Sequence, residues 1–286
     1  MATPYPLSGA APYFLGVDIG SLTVKVVLMD SGQQMRSRGV TAAGYGGQQA
    51  AESLIKRLLG EAGIPAGDVA YTVVTGYGRV RFQTANEEVS EISCHARGAF
   101  HLNPALRTVI DIGGQDSKAM RLDSRGRVID FAMNDKCAAG TGRFLEVMAG
   151  ALDVPVEELG RLALQSQEPV SISSTCTVFA ESEAISHIAR GATRQDVAAG
   201  LHQAIASRVL GLAARVGLEP EIALTGGVAL NQGVVAALAR ACGQQITVPP
   251  DPQTVGALGA ALYALQKGRG YGVPPFVGSH GCCILA

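Results

Sequence analysis

Two short segments of the chain place an aspartate near the end of an apolar run, with glycine two residues later. Asp18-Ile19-Gly20, followed by Lys25, returns as Asp111-Ile112-Gly113, followed by Lys118, and both matches are displaced by 93 residues (18 to 111, 25 to 118). An aspartate at a strand end can hold Mg²⁺ or its water shell, and glycine lets backbone N–H groups approach phosphate oxygens. Two such segments facing each other could hold a nucleoside triphosphate. The alternative is two unrelated hairpins that share a turn chemistry.

Each aspartate segment is predicted to begin a unit of three strands separated by short turns. The strands are expected at residues 14–19, 23–29 and 33–38 in the first unit, and at 108–112, 118–122 and 127–131 in the second. The lysine of each unit lies in its second strand. Lys25 is a candidate phosphate ligand, but it can equally be an ordinary solvated strand residue, as can Lys118.

A third glycine-containing segment, Thr225-Gly226-Gly227, follows a short apolar run at 222–224 and precedes a helical pattern at 231–242. At such a strand-to-helix junction, backbone N–H groups and the positive end of the helix dipole can meet an anionic ligand. Taken alone, the glycine pair is more typical of a tight turn. The chain has no P-loop pattern and no strand-linked Gly-x-Gly-x-x-Gly, so neither of those two kinds of nucleotide-binding site is predicted.

Composition indicates a globular protein of the α/β class. The chain has 286 residues, 47% of them hydrophobic and 16% charged, and its length favours two domains. The net charge is −1 and there is no basic run, so no nucleic-acid partner is expected. Neither a signal peptide nor an uninterrupted apolar stretch long enough to span a bilayer is recognised, which predicts a cytoplasmic protein without a membrane partner.

The remaining elements alternate between helical and extended patterns. Helices are predicted at 48–61, 90–100, 140–152, 156–165, 178–190, 194–216, 231–242 and 255–267, and further strands at 69–75, 170–173, 222–224 and 245–248. The Gly- and Pro-rich residues 268–286 are predicted to be a mobile tail.

Six cysteines in a chain without a secretion signal are expected to be reduced thiols. Cys94 and Cys242 lie in apolar helical contexts typical of a core. Cys137 and Cys176 are too far apart for a local metal-binding loop, and the residues alone favour two buried structural thiols. The five histidines show no ligand spacing and are interpreted as structural or surface residues.

The three glycine-containing segments, in this order, resemble the superfamily of sugar kinases, heat-shock chaperones and actin. Two longer segments, 133–144 (MNDKCAAGTGRF) and 173–183 (SSTCTVFAESE), closely resemble the activators of 2-hydroxyacyl-CoA dehydratases and the related ATPase subunits of benzoyl-CoA reductase. The similarity covers about residues 14–267. The resemblance implies an α/β actin-like ATPase fold, with two duplicated ribonuclease-H-like domains around a nucleotide cleft. Domain I is predicted at 13–106 plus 252–267, and domain II, with the cluster-binding helices, at 107–251.

The resemblance also implies a set of cofactors and their ligands. ATP and Mg²⁺ are expected in the cleft, with Asp18 and Asp111 positioning the metal-bound water. In the family, two cysteines from each subunit of a homodimer hold one shared [4Fe–4S] cluster, and Cys137 and Cys176 match those positions. The remaining binding residues form a first phosphate hairpin (Gly20, Ser21, Thr23, Lys25), a second one (Gly113, Gly114, Gln115) and an adenosine side (Gly226, Gly227, Asn231).

The function implied by this resemblance is that of an ATPase that transfers one low-potential electron to a 2-hydroxyacyl-CoA dehydratase-type partner, with reduced ferredoxin or flavodoxin as the donor. An alternative is the ATPase subunit of a benzoyl-CoA-reductase-like complex. A further alternative, from another class, is a small-metabolite kinase of the same fold without a cluster. A nucleotide-gated chaperone or filament subunit is a weaker alternative, since no peptide-binding domain follows the ATPase core.

Overall fold

The computed structural model describes residues 12–173 and 176–269 of the chain. Most of the predicted mobile tail, including Cys282 and Cys283, therefore lies outside the described residues. The described chain divides into two compact units. Unit 1 comprises residues 12–104, 126–128 and 253–269, and unit 2 comprises 105–125, 129–173 and 176–252.

Unit 1 contains a five-stranded sheet with the strand order β3-β2-β1-β4-β5. Strand β1 is antiparallel to β2 and parallel to β4, so a hairpin is followed by a crossover connection. Its strands are β1 (Tyr13–Ile19), β2 (Thr23–Asp30), β3 (Met35–Ala42), β4 (Val69–Thr75) and β5 (Glu87–Glu88). Its helices are α1 (Gln48–Glu61), α2 (Glu91–Leu102) and α8 (Val255–Gly268).

Small residues let helix α8 pack closely on the sheet and on α2. Gly16 of β1 lies against the α8 backbone, and a Cβ at that position would come within 2.9 Å of the Ala260 carbonyl carbon. Gly259 of α8 lies in the same way against the backbone of Cys94 in α2. Because α8 approaches this closely, the core of unit 1 is continuous between the sheet and two helices.

Unit 2 repeats the same sheet with the order β10-β9-β6-β7-β8. Strand β6 is antiparallel to β7 and parallel to β9, as β1 is to β2 and β4. The strands are β6 (Thr108–Ile112), β7 (Ser117–Leu122), β8 (Val128–Asn134), β9 (Ile222–Thr225) and β10 (Ile246–Thr247). The helices are α3 (Gly142–Ala151), α4 (Val156–Leu164), α5 (Thr177–Ala189), α6 (Arg194–Ala214) and α7 (Gln232–Cys242).

Helix α6 is long and apolar enough to cross a bilayer by length and composition, but 61% of its most apolar window is buried. It packs against β7, α4 and α7. Its apolar residues are therefore accounted for by the core of unit 2.

The predicted strand at 170–173 is wrong. These residues have no regular structure, and the Val170 N–H donates to the Asp196 carbonyl at 3.2 Å. Val170 packs against Gly200 of α6, where a Cβ would lie 3.1 Å from the Val170 carbonyl carbon. The apolar residues of this segment are thus covered by a helix, and no neighbouring strand of the described chain pairs with them.

Candidate functional site

The first hairpin places Asp18 of β1 directly opposite Lys25 of β2. Asp18 is buried, and its Oδ2 lies 3.4 Å from the Lys25 Nζ. The turn between the strands is closed by the Gly20 N–H, which donates to the Thr23 carbonyl at 3.0 Å. Ser21 lies in this turn and is partly exposed. The hairpin therefore presents a buried carboxylate–ammonium pair beneath a short, open backbone turn.

The second hairpin repeats this arrangement with an additional carboxylate. Asp111 lies opposite Lys118, whose Nζ is 3.5 Å from Asp111 Oδ2 and 2.7 Å from Asp116 Oδ2. The Gly113 N–H donates to the Asp116 carbonyl at 2.9 Å, and Gln115 at the turn is exposed. Asp116 was not identified from the sequence, although it stands where Thr23 stands in the first copy (23 to 116).

Neither lysine is solvated, so the interpretation of Lys25 and Lys118 as ordinary exposed strand residues is wrong. The Lys25 side chain is 14% exposed and that of Lys118 only 2%. A buried ammonium needs a counter-charge, and the aspartate one strand away supplies it in both hairpins. A phosphate group arriving at the first turn would meet a positive charge already held in place, whereas at the second turn Lys118 is flanked by two carboxylates.

The fourth strand of each unit ends in a threonine that is followed by a glycine. Gly226 after β9 has φ +87° and Gly76 after β4 has φ +86°, a backbone conformation that L side chains rarely adopt. A Cβ at Gly226 would lie 2.8 Å from Asp111 Oδ1, and one at Gly76 would lie 2.6 Å from the Ile19 carbonyl oxygen. Both glycines therefore allow the backbone to pass directly beside an aspartate hairpin.

The two threonines differ in their bonding. The Thr225 hydroxyl donates to Asp111 Oδ1 at 3.0 Å. The Thr75 hydroxyl is equally buried and lies near the Cys94 thiol, but it has no hydrogen-bond partner of ordinary geometry among the described residues. Thr75 and Gly76 were not identified as site residues from the sequence. Their pair recurs as Thr225-Gly226 after 150 residues (75 to 225), whereas the hairpins recur after 93, so a search at the displacement of the hairpins does not find it.

Asn231, assigned to the adenosine side, is the N-cap of α7. Its Oδ1 accepts from the Val234 N–H at 3.1 Å and also lies 3.1 Å from His202 Nε2. Burial lowers the pKa of His202 below its ordinary value. Gly227 begins the single helical turn that leads from Gly226 to Asn231. This segment is thus held by α6 and α7 at the end of β9.

Cys137 lies in the segment that connects β8 to α3. Its side chain is partly buried against the core of unit 2. The Asn134 side-chain amide donates to the carbonyls of Cys137 at 2.9 Å and Ala139 at 3.2 Å, and the Thr141 hydroxyl donates to the Ala138 carbonyl at 2.6 Å. These bonds fix the backbone around the cysteine. Asn134 and Thr141 were not singled out from the sequence.

Cys176 is the N-cap residue of α5 and is exposed. Helices α3 and α5 pack against each other, so the two cysteine segments precede helices that are in contact in unit 2. The expectation of two buried structural thiols is therefore wrong for Cys176. Among the described residues, no group of three or more His, Cys, Asp or Glu side chains is arranged to hold a metal ion.

The other described cysteines differ from this pair. Cys94 is fully buried, as predicted, and burial raises the pKa of its thiol to about 12, so it stays protonated. Cys242 is half-buried at the end of α7, and its thiol lies 3.6 Å from the carbonyls of Ala239 and Gln244. Both are poor candidates for metal ligands.

The second hairpin is bonded directly to the start of α3. The Gly142 N–H donates to the Gly113 carbonyl at 2.8 Å, and the Arg143 N–H donates to the Gly114 carbonyl at 2.8 Å. The free N–H groups of a helix start are thereby satisfied by the turn expected to bind phosphate. Cys137 is five residues before Gly142 (137 to 142), so only a short stretch of backbone separates the bonded turn from the cysteine.

A comparison with protein families identifies this architecture. Residues 15–264 match the model of the BadF/BadG/BcrA/BcrD ATPase family. The chain belongs to this ATPase family. Its duplicated sheets and helices are those of the actin-like ATPase fold, as predicted from the sequence.

Relatives within the family include activators and a reductase component. The chain is 48% identical over 257 residues to the 2-hydroxyisocaproyl-CoA dehydratase activator of Clostridioides difficile, covering 90% of this chain and 96% of the relative. It is 36% identical over 259 residues to a benzoyl-CoA reductase subunit of Thauera aromatica, covering 87% and 91%. A solved structure is also similar, that of the activator of the 2-hydroxyisocaproyl-CoA dehydratase from Clostridium difficile with bound ADPNP. It superposes with a TM-score of 0.85 at 47% sequence identity, and the match covers 90% of this chain and 96% of that one.

Proposed function

We propose that this ATPase activates a 2-hydroxyacyl-CoA dehydratase-type enzyme in the cytoplasm by delivering single low-potential electrons to it at the expense of ATP. The observation that carries the proposal lies within unit 2. There, the helix start that follows Cys137 is hydrogen-bonded to the turn of the Asp111 hairpin. Nearly full-length similarity to dehydratase activators supports the choice of partner.

The nucleotide-binding roles follow from the two hairpins. Asp18 and Asp111 would position Mg²⁺ through its water shell, because each is a buried carboxylate at a strand end next to an open glycine turn. Lys25 would contact phosphate oxygens. The turns would supply N–H and hydroxyl groups to the phosphates, and the segment after β9 would contact the adenosine; these residues are Gly20, Ser21, Thr23, Gly113, Gly114, Gln115, Gly226, Gly227 and Asn231.

The two cysteines fit a shared [4Fe–4S] cluster. Cys176 is exposed at a helix start and Cys137 is half-buried just before another, and the positive ends of helix dipoles favour an anionic centre. A cubane cluster takes four thiolates, whereas the two cysteine segments of one chain offer two. Two copies related by a two-fold axis would complete the set. When bound, the cluster supplies a one-electron redox centre.

The surface around Cys176 supports association of two copies. On α5, Val178 and Phe179 are 65% and 66% exposed, and Ile185 and Ile188 are also exposed. Exposed apolar side chains that cluster on one helix are typical of an interaction surface. A dimer closed there would cover these residues and bring two Cys176 residues to one axis.

ATP would act on the cysteine segment through the bonded turn. For a one-electron centre, ~59 mV corresponds to ~1.4 kcal/mol, so a nucleotide-dependent difference of a few kcal/mol changes the potential by a few hundred millivolts. Asn134 and Thr141 hold the Cys137 backbone tightly, so a displaced helix start changes the surroundings of the sulfur and is not absorbed by a slack loop. Reduced ferredoxin or flavodoxin is the proposed donor.

Iron and sulfide analysis after anaerobic purification tests the ligand assignment. Cys137→Ala and Cys176→Ala are each expected to abolish cluster binding, and Cys242→Ala is the matched control because its thiol lies elsewhere on unit 2. We expect four irons per two chains in the unchanged protein and in the control. Unchanged iron content in Cys137→Ala would refute the assignment.

The oligomeric state and the partner separate the alternatives. A stable self-dimer that restores activity to a separately purified dehydratase supports the activator. Obligate co-purification with other proteins supports a benzoyl-CoA-reductase-like complex, for which the 36% identity to the Thauera aromatica reductase component argues. Iron-free protein whose ATP hydrolysis requires a hydroxyl or carboxylate acceptor would support the metabolite kinase.

A further inference from the structure

A cavity of about 470 Å³ lies inside unit 2, outside the nucleotide-binding residues and the two cysteines. Its walls are the second half of α6, the end of β8, the start of β7 and residues 172–173. A volume of this size is in the range that holds small organic ligands. Nothing in the proposed electron-transfer function uses this space.

The polar part of the wall is built for an anion. Arg208 and Arg215 both line the cavity, and neither forms an ion pair or side-chain hydrogen bond within the described chain. Ser117 also lines it and is 2% exposed, and its hydroxyl has no hydrogen-bond partner among the described residues. A hydroxyl that lines the cavity without a protein partner is available to hydrogen-bond a ligand.

Charge in the cavity is of one sign. The described residues that line it include two arginines and no aspartate or glutamate. Arg208 is half-buried, so its guanidinium is partly shielded from water and attracts an anion more strongly than a fully exposed one. Guanidinium and hydroxyl groups together match a carboxylate, which accepts two or more hydrogen bonds.

The rest of the wall is apolar. Phe144, Ile172 and Leu212 face the same space, with Met133 at the end of β8. An inorganic anion would leave these side chains uncovered, whereas a carboxylate on an apolar body would cover them. We propose that this cavity is a binding site for an amphipathic organic carboxylate, held by Arg208 and Ser117 and covered by the apolar wall.

The site adjoins the segment that carries Cys137. Asn134 and Gly140, at the two ends of that segment, line the cavity. Gly140 has φ +87°, and the stem of Arg208 packs beside it, with Cγ 3.3 Å from the position a Cβ would take. A carboxylate that orders Arg208 therefore also restrains the backbone next to Cys137. The site could in this way report the level of an organic acid to the cysteine segment.

Calorimetric titration of the anaerobically purified full chain tests the proposal. The probe is 4-phenylbutyrate, and the two comparison ligands are 4-phenylbutanol, which lacks the charge, and inorganic phosphate, which lacks the apolar body. We expect saturable binding of the carboxylate at one site per chain, with the alcohol and phosphate at least about 10-fold weaker. Equal binding of the alcohol would refute the arginine's role, and absence of any saturable binding would refute the site.

Variants locate the binding. Arg208→Gln is expected to weaken 4-phenylbutyrate about 10- to 100-fold, and Ser117→Ala about 5-fold, since a charged bond is worth more than a neutral one. Arg240→Gln, on the exposed side of α7, is the matched control and should leave the affinity unchanged. If Arg208→Gln and Arg240→Gln behave alike, binding is elsewhere and the proposal is wrong. Iron content is measured in parallel, so that failure of this site and failure of the cluster assignment are distinguished.

Discussion

The two hairpins share one geometry but differ in the segment that follows their third strand. In unit 1, β3 is joined to α1 by residues 43–47, a glycine-rich run (AGYGG), and the Ala43 N–H donates to the Leu22 carbonyl in the hairpin turn at 2.9 Å. In unit 2, the equivalent connection from β8 to α3 is residues 135–141 (DKCAAGT), which contains Cys137 and is followed by the Gly142–Gly113 bond. Each copy thus bonds its turn to this region, although at different positions of the repeat, and only the second copy has a cysteine in the connection.

The second hairpin is also the more strongly bonded of the two. Its lysine lies between two carboxylates and its aspartate accepts from Thr225, whereas Lys25 has Asp18 alone and Thr75 is unbonded within the described chain. A hairpin held by more bonds is expected to deform less when its turn is displaced. This is a reason to expect the coupling in unit 2 and not in unit 1.

Substitution of the two lysines should give the largest difference in stability between the two hairpins. Lys118→Met leaves Asp111 and Asp116 without their counter-charge, and a loss of about 3–5 kcal/mol in the free energy of unfolding is expected. Lys25→Met removes a more exposed partner and should cost about 1–3 kcal/mol. Urea unfolding of the nucleotide-free protein, followed by circular dichroism, measures both. Equal losses would contradict the greater rigidity of the second hairpin.

The glycines after β4 and β9 should behave alike. Gly226→Ala and Gly76→Ala each place a Cβ against the neighbouring hairpin at positive φ, and each should lose about 3 kcal/mol or more in the free energy of unfolding. Gly44→Ala, with φ +58° and open space around the Cβ, is the control and should lose about 1–2 kcal/mol. The losses are read from thermal and urea unfolding. A tolerated Gly76→Ala would show that the close approach is not equivalent in the two copies.

Substitution of the two threonines should give a smaller difference in stability between the two copies. Thr225→Val removes the bond to Asp111 and leaves a buried acceptor, which should lower the free energy of unfolding by about 1–2 kcal/mol. Thr75→Val replaces an unbonded hydroxyl by a methyl group and should be neutral within about 0.5 kcal/mol or stabilising. Both are measured by urea unfolding at constant pH. A destabilised Thr75→Val would mean that its hydroxyl has a partner in solution.

The bond from Gly142 to Gly113 is expected to matter for coupling more than for stability. Gly142→Pro removes this N–H at a first helical position that accepts proline, and Thr141 before it is already extended. The proline ring also takes the place of the hydrogen that points at the Gly113 carbonyl oxygen, and a Cβ would lie 3.2 Å from that oxygen, so the turn must shift and about 2–3 kcal/mol of destabilisation is expected. In the metal-free protein, the rate of Cys137 alkylation should depend on ATP in the parent and not in Gly142→Pro. Persistence of the ATP effect in Gly142→Pro would show that the coupling runs through other contacts. Ala62→Pro, just after α1 in unit 1, is unsuitable as a control because the Ala62 N–H also donates to a carbonyl, that of Leu58.

The sequence by itself determined the class of fold, the repeated hairpins and most of the elements. Helix α1 and strand β4 were predicted at their observed limits, because local apolar periodicity and flanking turns specify such segments. Helix α3 begins two residues later than predicted, since Gly140 has a positive φ that a helix does not accept. The family and its ATPase activity also followed from sequence motifs and were confirmed.

Only the tertiary structure decided which polar groups meet. The bond from Thr225 to Asp111 and the bond between α3 and the second turn join residues that are far apart in the sequence, so no local pattern encodes them. The pairing of Asp116 with Lys118 is local, but the burial of that pair depends on the rest of the unit. The strand expected at 170–173 failed for the same reason, because Val170 packs against α6 and no strand of the described chain is beside these residues. Local periodicity reports which side of a segment is apolar, but burial and pairing depend on the neighbour that the fold brings to it.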